Sequence, residues 1–184
     1  MLASLTRFLE RRLKLSVNEA KSAVDRPWKR TFLGYSMTYH MKPRLKVAAS
    51  SVARFKGNLR ALFRRGRGRS VARVIEEATP VLRGWITYFR LAETRGLFEG
   101  LDGWFRRKLR VILWRQWKRP GTRARKLMQR GIGKARAWRS TSNGRGPWWN
   151  AGASHMNQAY PTSYFRTLGL TPMIEQLHRL ERTS

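Results

Sequence analysis

The feature that most constrains the fold is a stripe of large apolar side chains between residues 98 and 118. Its members recur every three or four residues, as on one face of an α-helix: Phe98, Leu101, Phe105, Leu109 and Ile112. Further apolar residues widen it: Trp104, Leu113, Trp114 and Trp117. A helix with so broad an apolar face is stable only when other elements cover that face. We therefore expect this helix to be part of a helical bundle.

Two earlier segments carry helical stripes of the same kind. Ser50 or Ser51 can cap a helix with the stripe Val52, Phe55, Leu59 and Leu62. After a basic glycine linker at 64–70, Ser70 can cap a helix with the stripe Val71, Ile75, Ala78, Leu82, Trp85 and Phe89. Pro80 leaves two alternatives: the helix kinks there, or a new helix starts with Thr79 as its cap.

The segment LRGWITYFR (82–90) combines aromatic and basic residues on what the periodicity predicts to be one helix. Leu82, Trp85, Ile86 and Phe89 are expected to face the interior, whereas Arg83, Thr87 and Arg90 form an outer row. Gly84 costs about 1 kcal/mol relative to alanine inside a helix, so we expect a close neighbour there.

The remaining segments are shorter and more mixed. Residues 2–13 have a helical stripe, and 13–17 alternate as a short strand does; 31–39 and 44–48 are expected to form a small hairpin around Pro43. A short basic helix is expected at 122–130, a loop at 140–147, and two or three short helices between 148 and 180. The predicted fold is mainly α.

Charge sets the class of partner. The 184 residues include 40 Lys and Arg against 10 Asp and Glu, a formal net charge of +30. Such self-repulsion favours a polyanionic partner, most commonly nucleic acid. No apolar run is long enough to span a bilayer. The basic amphipathic N-terminus lacks the features of a secretory signal, so we expect a cytoplasmic protein, with an organellar transit peptide as the minor alternative. Cysteine is absent.

Three groups of basic residues are candidates for nucleic-acid binding. Lys56, Arg60 and Arg64 repeat every four residues and therefore stack on one helix face. Arg65, Arg67 and Arg69 lie on the glycine linker. The third group consists of Arg106, Arg107, Arg110, Arg115, Lys118 and Arg119. Arginines interleaved with glycines favour irregular or single-stranded RNA. A three-helix reader of the DNA major groove is also compatible with the composition, although there is no clear helix-turn-helix signature.

Catalytic groups are scarce. Asp25 and Asp102 are the only aspartates, whereas two-metal chemistry needs several converging carboxylates. Glu76 and Glu77 are neighbours on a helix and are expected to point in different directions. The three histidines, His40, His155 and His178, lack metal-ligand spacing. We therefore expect no catalytic residue, no metal site and no cofactor in this chain by itself.

Several segments together resemble the group II intron reverse transcriptase/maturases. The motif Phe32, Leu33, Gly34, Tyr35 is similar to the turn that grips the primer in that family, and Lys21-Ser22 matches a lysine that precedes Ser or Thr near the end of its palm. LRGWITYFR, followed by LDGWFRRKLRVILWRQWKRP (101–120), looks like the family's thumb, or X, maturase domain. The tail GPWWNAGASHMNQAYPTSYFRTLGL (146–170) is similar to the end of bacterial members.

The resemblance implies a three-part organisation: the end of the palm at 1–48, a helical-bundle thumb at 49–140 and a helical tail at 141–184. It also implies a function. Such maturases, encoded by mobile elements, hold intron RNA in its active shape while the RNA performs splicing. By the resemblance, Arg83, Arg90, Arg106, Arg107, Arg110 and Lys118 fall on the RNA-binding face of the thumb.

The chain departs from the family in what it lacks. The fingers, most of the palm and the endonuclease region have no counterpart, and no Asp-Asp pair is present to hold catalytic Mg²⁺. We therefore expect a C-terminal piece that binds group II intron RNA without catalysing a reaction itself; Mg²⁺ would belong to the RNA or to a complete polymerase. One alternative is a part of an RNA-directed DNA polymerase that needs a separate fingers–palm chain and a template–primer duplex. Another is a generic basic protein that binds RNA or DNA.

Overall fold

The structure is a computed structural model that describes residues 2–18, 22–65 and 68–183. Helices dominate this part of the chain, as predicted. They are α1 Leu2–Arg12, α2 Ala49–Arg65, α3 Val71–Tyr88, α4 Arg95–Gln116, α5 Pro120–Met128, α6 Lys134–Thr141, α7 Pro147–Gly152, α8 Ser154–Ala159, α9 Thr162–Thr167 and α10 Met173–Thr183. A single 3-10 turn spans Pro27–Lys29, and the described strands are β1 Tyr35–Met37 and β2 Leu45–Val47.

The two strands form the predicted hairpin. They pair antiparallel, with Tyr35 opposite Val47 and Met37 opposite Leu45. Gly34 precedes β1 with φ of +78°, a conformation that favours glycine. A Cβ atom there would also lie 2.8 Å from the Ser51 hydroxyl, so the hairpin seats directly on the start of α2.

The strand predicted at 13–17 is wrong. Leu13 and Leu15 are 54% and 55% exposed, and no described strand lies beside them. Instead the chain leaves α1 through a turn in which the N–H groups of both leucines donate to the Leu9 carbonyl, at 3.1 Å each. Alternation alone does not make a strand, because a strand also needs a partner for its backbone groups.

The core of the bundle is formed where α2, α3 and α4 pack together, and it confirms the predicted stripes. Phe55 and Leu59 on α2 meet Ile75, Leu82 and Ile86 on α3, all of them buried. The α4 stripe is equally buried: Phe98, Leu101, Phe105, Leu109 and Ile112. Between α2 and α3, the rings of Phe55 and Trp85 stack with their centroids 4.3 Å apart.

Helix α3 resolves the alternatives at Pro80. Ser70 caps it as predicted, accepting a hydrogen bond from the Arg73 N–H at 3.2 Å, and the helix then continues through Pro80 to Tyr88. Thr79 does not start a new helix; its hydroxyl donates to the Ile75 carbonyl at 2.8 Å. The close neighbour expected at Gly84 is absent, since a Cβ atom there would meet nothing within 4 Å.

The tail folds back onto the bundle through four short helices among the described residues, α7 to α10, rather than two or three. Helix α7 packs on α4, and α10 packs on both α3 and α4. Asp102, buried on α4, accepts hydrogen bonds from the N–H groups of Met173 (2.8 Å) and Ile174 (3.2 Å) at the start of α10. This carboxylate therefore joins the tail to the bundle.

Candidate nucleic-acid interface

A basic groove of about 970 Å³ runs between α2 and α4 and reaches the start of α7. Five cationic side chains line it: Arg60, Arg64, Lys108, Arg115 and Lys118. Phe63, Val111, Ile112 and Trp148 contribute apolar surface, and no carboxylate is among the described residues that line the groove. We call this site the basic groove.

Helical spacing explains why these cations converge. Arg60 and Arg64 are one turn apart on α2, and Lys108 and Arg115 are two turns apart on α4, so each helix contributes one row. Phe63 packs between the rows, its ring 5.3 Å from that of Phe105. The aromatic core thus fixes the distance between two basic rows.

The charges in the basic groove repel one another. Burial lowers the pKa of Lys108, and the nearby Arg60 and Arg115 guanidinium groups lower it further. A like charge disfavours the protonated form, and an anion placed between the rows would relieve this. The electrostatics of the groove are therefore those of an anion-binding site.

Trp148 lies at the rim of the groove with 42% of its surface exposed. The Arg107 guanidinium lies 4.1 Å from its ring centroid and the Lys108 ammonium lies 4.9 Å away. Arg107 also donates from Nε and Nη2 to the Trp148 carbonyl, at 3.1 and 2.9 Å. These contacts hold the indole in place beside the two basic rows.

The structure brings together only part of the predicted binding set. Arg60, Arg64, Arg115 and Lys118 line the basic groove. Lys56, half-buried one turn before Arg60, lies with its ammonium 5.7 Å from the Trp104 ring. Arg119 is exposed at the cap of α5.

Arg69, the linker arginine whose side chain the structure describes, is not free as expected. Arg69 is paired with Glu77, and its carbonyl accepts a hydrogen bond from Gln116 at 2.7 Å, so it is tied to α3 and α4 rather than free to follow a polymer. Arg67 lies outside the described residues, as does the side chain of Arg65.

The arginines of α3 and of the middle of α4 do not join the groove. Arg83 is exposed in a separate cleft beside Leu168, and Arg90 is exposed just beyond the end of α3. Arg106 and Arg107 face the tail in a second pocket with Arg110. The expected exposure of Arg110 is wrong: it is 7% exposed, and its Nε donates to the Tyr160 carbonyl at 2.9 Å.

The sequence analysis missed two groove residues that could contact a nucleic acid, the cationic Lys108 and the exposed Trp148. Lys108 is seven residues before Arg115, so the helical spacing that revealed the α2 row would have revealed it too. Trp148 had no such signal, because its position beside α4 depends on how the distant α7 packs.

The turn similar to a primer grip is fixed at its base and exposed at its tip. Phe32 and Leu33 are 79% and 65% exposed. The Tyr35 hydroxyl donates to the Tyr88 carbonyl, and the Tyr88 hydroxyl donates to the Leu33 carbonyl at 2.9 Å. Two tyrosines therefore hold the turn against the end of α3, and Gly34 provides its φ of +78°.

Within the described residues, no group of three potential ligands could hold a metal ion. Glu76 and Glu77 are both held by Arg73, at 2.8 and 3.2 Å, despite being neighbours on the helix. His155 is buried beside Trp114, and burial followed by the charge of Arg136 lowers its pKa. None of the described helices has the length and apolar character needed to cross a membrane.

Comparison with known proteins agrees with this architecture. Residues 52–131 match the family "Group II intron, maturase-specific domain". The match covers most of α2 and all of α3, α4 and α5, and so includes both rows of the basic groove. A search of curated proteins finds no match. Residues 52–131 of the chain therefore match a group II intron maturase-specific domain, and this match supports a maturase C-terminal region.

Proposed function

We propose that this chain binds group II intron RNA through the basic groove and assists splicing without catalytic groups of its own. The observation that carries the proposal is a groove lined by five cations and by no carboxylate among the described residues. Helices α2 and α4 of the maturase-specific domain supply four of these cations, and Lys118 follows α4. Phosphates of the intron supply the counter-charge, and the intron RNA with its bound Mg²⁺ performs the chemistry. A maturase of this kind needs no cofactor and acts where the intron is transcribed, which for a bacterial member is the cytoplasm.

Assistance without catalysis requires only differential affinity. If the groove binds the folded intron more tightly than its misfolded forms, binding shifts the population toward the folded form. The two basic rows are held by the bundle core and so have a fixed separation, which favours an RNA of fixed shape. Trp148 at the rim adds an aromatic surface on which an unpaired base can stack.

The salt dependence of binding tests the electrostatic part of this proposal. About six phosphate contacts give a log–log slope of affinity against salt near −4 to −5. We expect the double variant Arg60→Gln/Arg115→Gln to make that slope shallower by roughly two, since each lost phosphate contact removes about one. The measurement is the affinity for a transcribed group II intron, over low to moderate potassium chloride concentrations.

The matched control is Arg125→Gln/Arg139→Gln, which removes the same charge from exposed sites on α5 and α6 outside the groove. If both double variants lose the same affinity for the intron, or if the wild-type affinity does not change with salt, RNA binding in the basic groove is contradicted. Equal binding of the intron and of an unrelated duplex would instead favour a generic basic protein. A splicing assay at limiting Mg²⁺, with and without the chain, tests the assistance itself.

A second candidate function is a part of an RNA-directed DNA polymerase. The exposed Phe32 and Leu33 on a turn fixed by Tyr35 and Tyr88 favour it, because such a turn can contact a primer. We expect no primer extension by this chain alone. Extension that appears only when a fingers–palm chain is added, and that weakens in Phe32→Ala, would support this function.

A further inference from the structure

The second pocket, on the side of α4 that faces the tail, has a volume of about 420 Å³. Arg106, Arg107 and Arg110 line it from α4, and Asn157 and Thr162 line it from the tail. In the part of the chain that the structure describes, no carboxylate lines it. We call it the arginine pocket, and it is separate from the basic groove.

Arg110 is a buried cation without a paired anion. Its Nε–H is used by the Tyr160 carbonyl, and among the described residues no carboxylate forms an ion pair with it. Burial, followed by the charge of Arg106, lowers its pKa to about 10. Burying an unpaired charge is unfavourable, so an arrangement that keeps one buried beside other cations is expected to have an external counter-charge.

Asp102, a turn before Arg106 on α4, does not supply that charge. It attracts Arg106 electrostatically, but its oxygens accept the N–H groups of Met173 and Ile174, and no ion pair with Arg106 is formed within the described part of the chain. The acid nearest in sequence is thus committed to holding α10.

Arg107 is fixed on the opposite wall of the pocket. Its Nε and Nη2 donate to the Trp148 carbonyl, and its guanidinium lies so close to Gly152 that a Cβ atom there would be 2.5 Å from its Cζ. Glycine at 152 therefore leaves the space that this guanidinium occupies. The Thr162 hydroxyl, without a hydrogen bond to another described residue, adds a donor to the same pocket.

We propose that the arginine pocket binds one phosphate group of an RNA strand. Several guanidinium groups and a hydroxyl in one concave site match the oxygens of a phosphate. The identity of the polymer rests on the proposed function, whereas the phosphate chemistry does not. The phosphate can belong to the interior of a strand or to its 5′ end.

Inorganic phosphate titrated into the intact chain tests the pocket directly. With ¹⁵N-labelled arginine, we expect the Nε–H resonances of Arg106, Arg107 and Arg110 to shift saturably, and at lower phosphate concentrations than those of Arg60 and Arg115 in the open basic groove. A shift that does not saturate, or one that is largest for Arg60 and Arg115, overturns the proposal.

A substitution that keeps the charge separates a built pocket from general attraction. Gly152→Ala displaces the Arg107 guanidinium and should weaken phosphate binding about tenfold, roughly the worth of one hydrogen bond to a charged group. Gly100→Ala, with nothing within 4 Å of the added methyl group, is the matched control and should leave phosphate binding unchanged. If Gly152→Ala fails to fold, Thr162→Val, which removes only the hydroxyl, takes its place. Equal affinities in wild type and in both pocket variants overturn the proposal.

RNA oligonucleotides with a 5′-phosphate or a 5′-hydroxyl distinguish the two sources. A preference for the 5′-phosphate that disappears in Gly152→Ala assigns the pocket to strand ends, and equal binding of both oligonucleotides, weakened equally by Gly152→Ala, assigns it to internal phosphates. Saturable phosphate binding without intron binding would refute the proposed function and leave the pocket intact. Intron binding without a phosphate response at Arg110 would refute the pocket alone.

Discussion

The two polar sides of α4 carry the same residue types but have different environments. On one side Lys108 and Arg115 face the open basic groove; on the other Arg107 and Arg110 are covered by the tail and hydrogen-bond to its carbonyl groups. Spacing along the helix does not distinguish the two sides. The difference arises because the tail places the carbonyl groups of Trp148 and Tyr160 over Arg107 and Arg110. A basic helix therefore serves both as an exposed charged surface and as an anchor for the rest of the fold.

The largest expected difference between the two sides is in stability, at the neighbouring residues Trp114 and Arg115. Trp114 is 1% exposed, and its ring lies beside His155 of the tail and beneath the Arg123 guanidinium of α5. We expect Trp114→Ala to lower the free energy of unfolding by about 3–5 kcal/mol, because it leaves a large cavity. Exposed Arg115→Ala should change it by no more than about 0.5 kcal/mol. Urea unfolding followed by circular dichroism measures both.

If Trp114→Ala and Arg115→Ala lower the free energy of unfolding by similar amounts, the groove side of α4 also stabilises the fold. The same two variants can be compared in their affinity for RNA, which Arg115→Ala should lower. The affinity of Trp114→Ala can be interpreted only under conditions in which this variant is still folded.

We expect pH to have a smaller effect, on the affinity for RNA, and only through the groove side of α4. Burial and the neighbouring Arg60 and Arg115 lower the pKa of Lys108, and a bound polyanion should raise it again. Between the free and bound pKa values, binding takes up a proton, so the affinity for intron RNA falls as pH rises. The expected limit is about tenfold per pH unit for one proton.

Lys108→Arg keeps the charge at all working pH values and is the control for this effect. Its affinity should be flat across alkaline pH where the wild type weakens. Identical pH profiles for the two proteins would show that Lys108 does not contact the RNA.

The smallest expected effect is a gain in stability at Gly100 in α4. An added methyl group there meets nothing within 4 Å, unlike at Gly152, where it meets Arg107. Gly100→Ala should therefore raise the free energy of unfolding by about 0.5–1 kcal/mol, and Gly152→Ala should lower it. Thermal unfolding of the pair checks the signs, and a loss at Gly100 would contradict the open environment of this position.

How much of the fold the sequence predicts depends on how far apart in the chain the interacting residues lie. The stripes through Phe55, Leu82 and Phe105 were predictable, because periodicity within one helix determines which side faces a core. The Ser70 cap was predictable for the same local reason. The hairpin at Tyr35–Met37 was predictable because glycine and proline mark its turns.

The rest depends on contacts between segments far apart in the chain. Leu13 and Leu15 alternate as in a strand, but no described strand pairs with them. Arg110 has the spacing of a surface residue, and only the arrival of Tyr160, fifty positions later, buries it. Trp148 joins the basic groove by the same long-range packing. The α2 row was therefore foreseen, and the division of α4 into an open and a covered side was not.

Lysine modification in the RNA complex tests the central claim most directly. Amine acetylation followed by mass spectrometry reports which lysines the intron covers. The account predicts that bound RNA protects Lys108 and Lys118 in the basic groove, while Lys126 and Lys134, exposed on α5 and α6, react as in the free protein. Protection of Lys126 and Lys134 with continued reaction at Lys108 and Lys118 would contradict it.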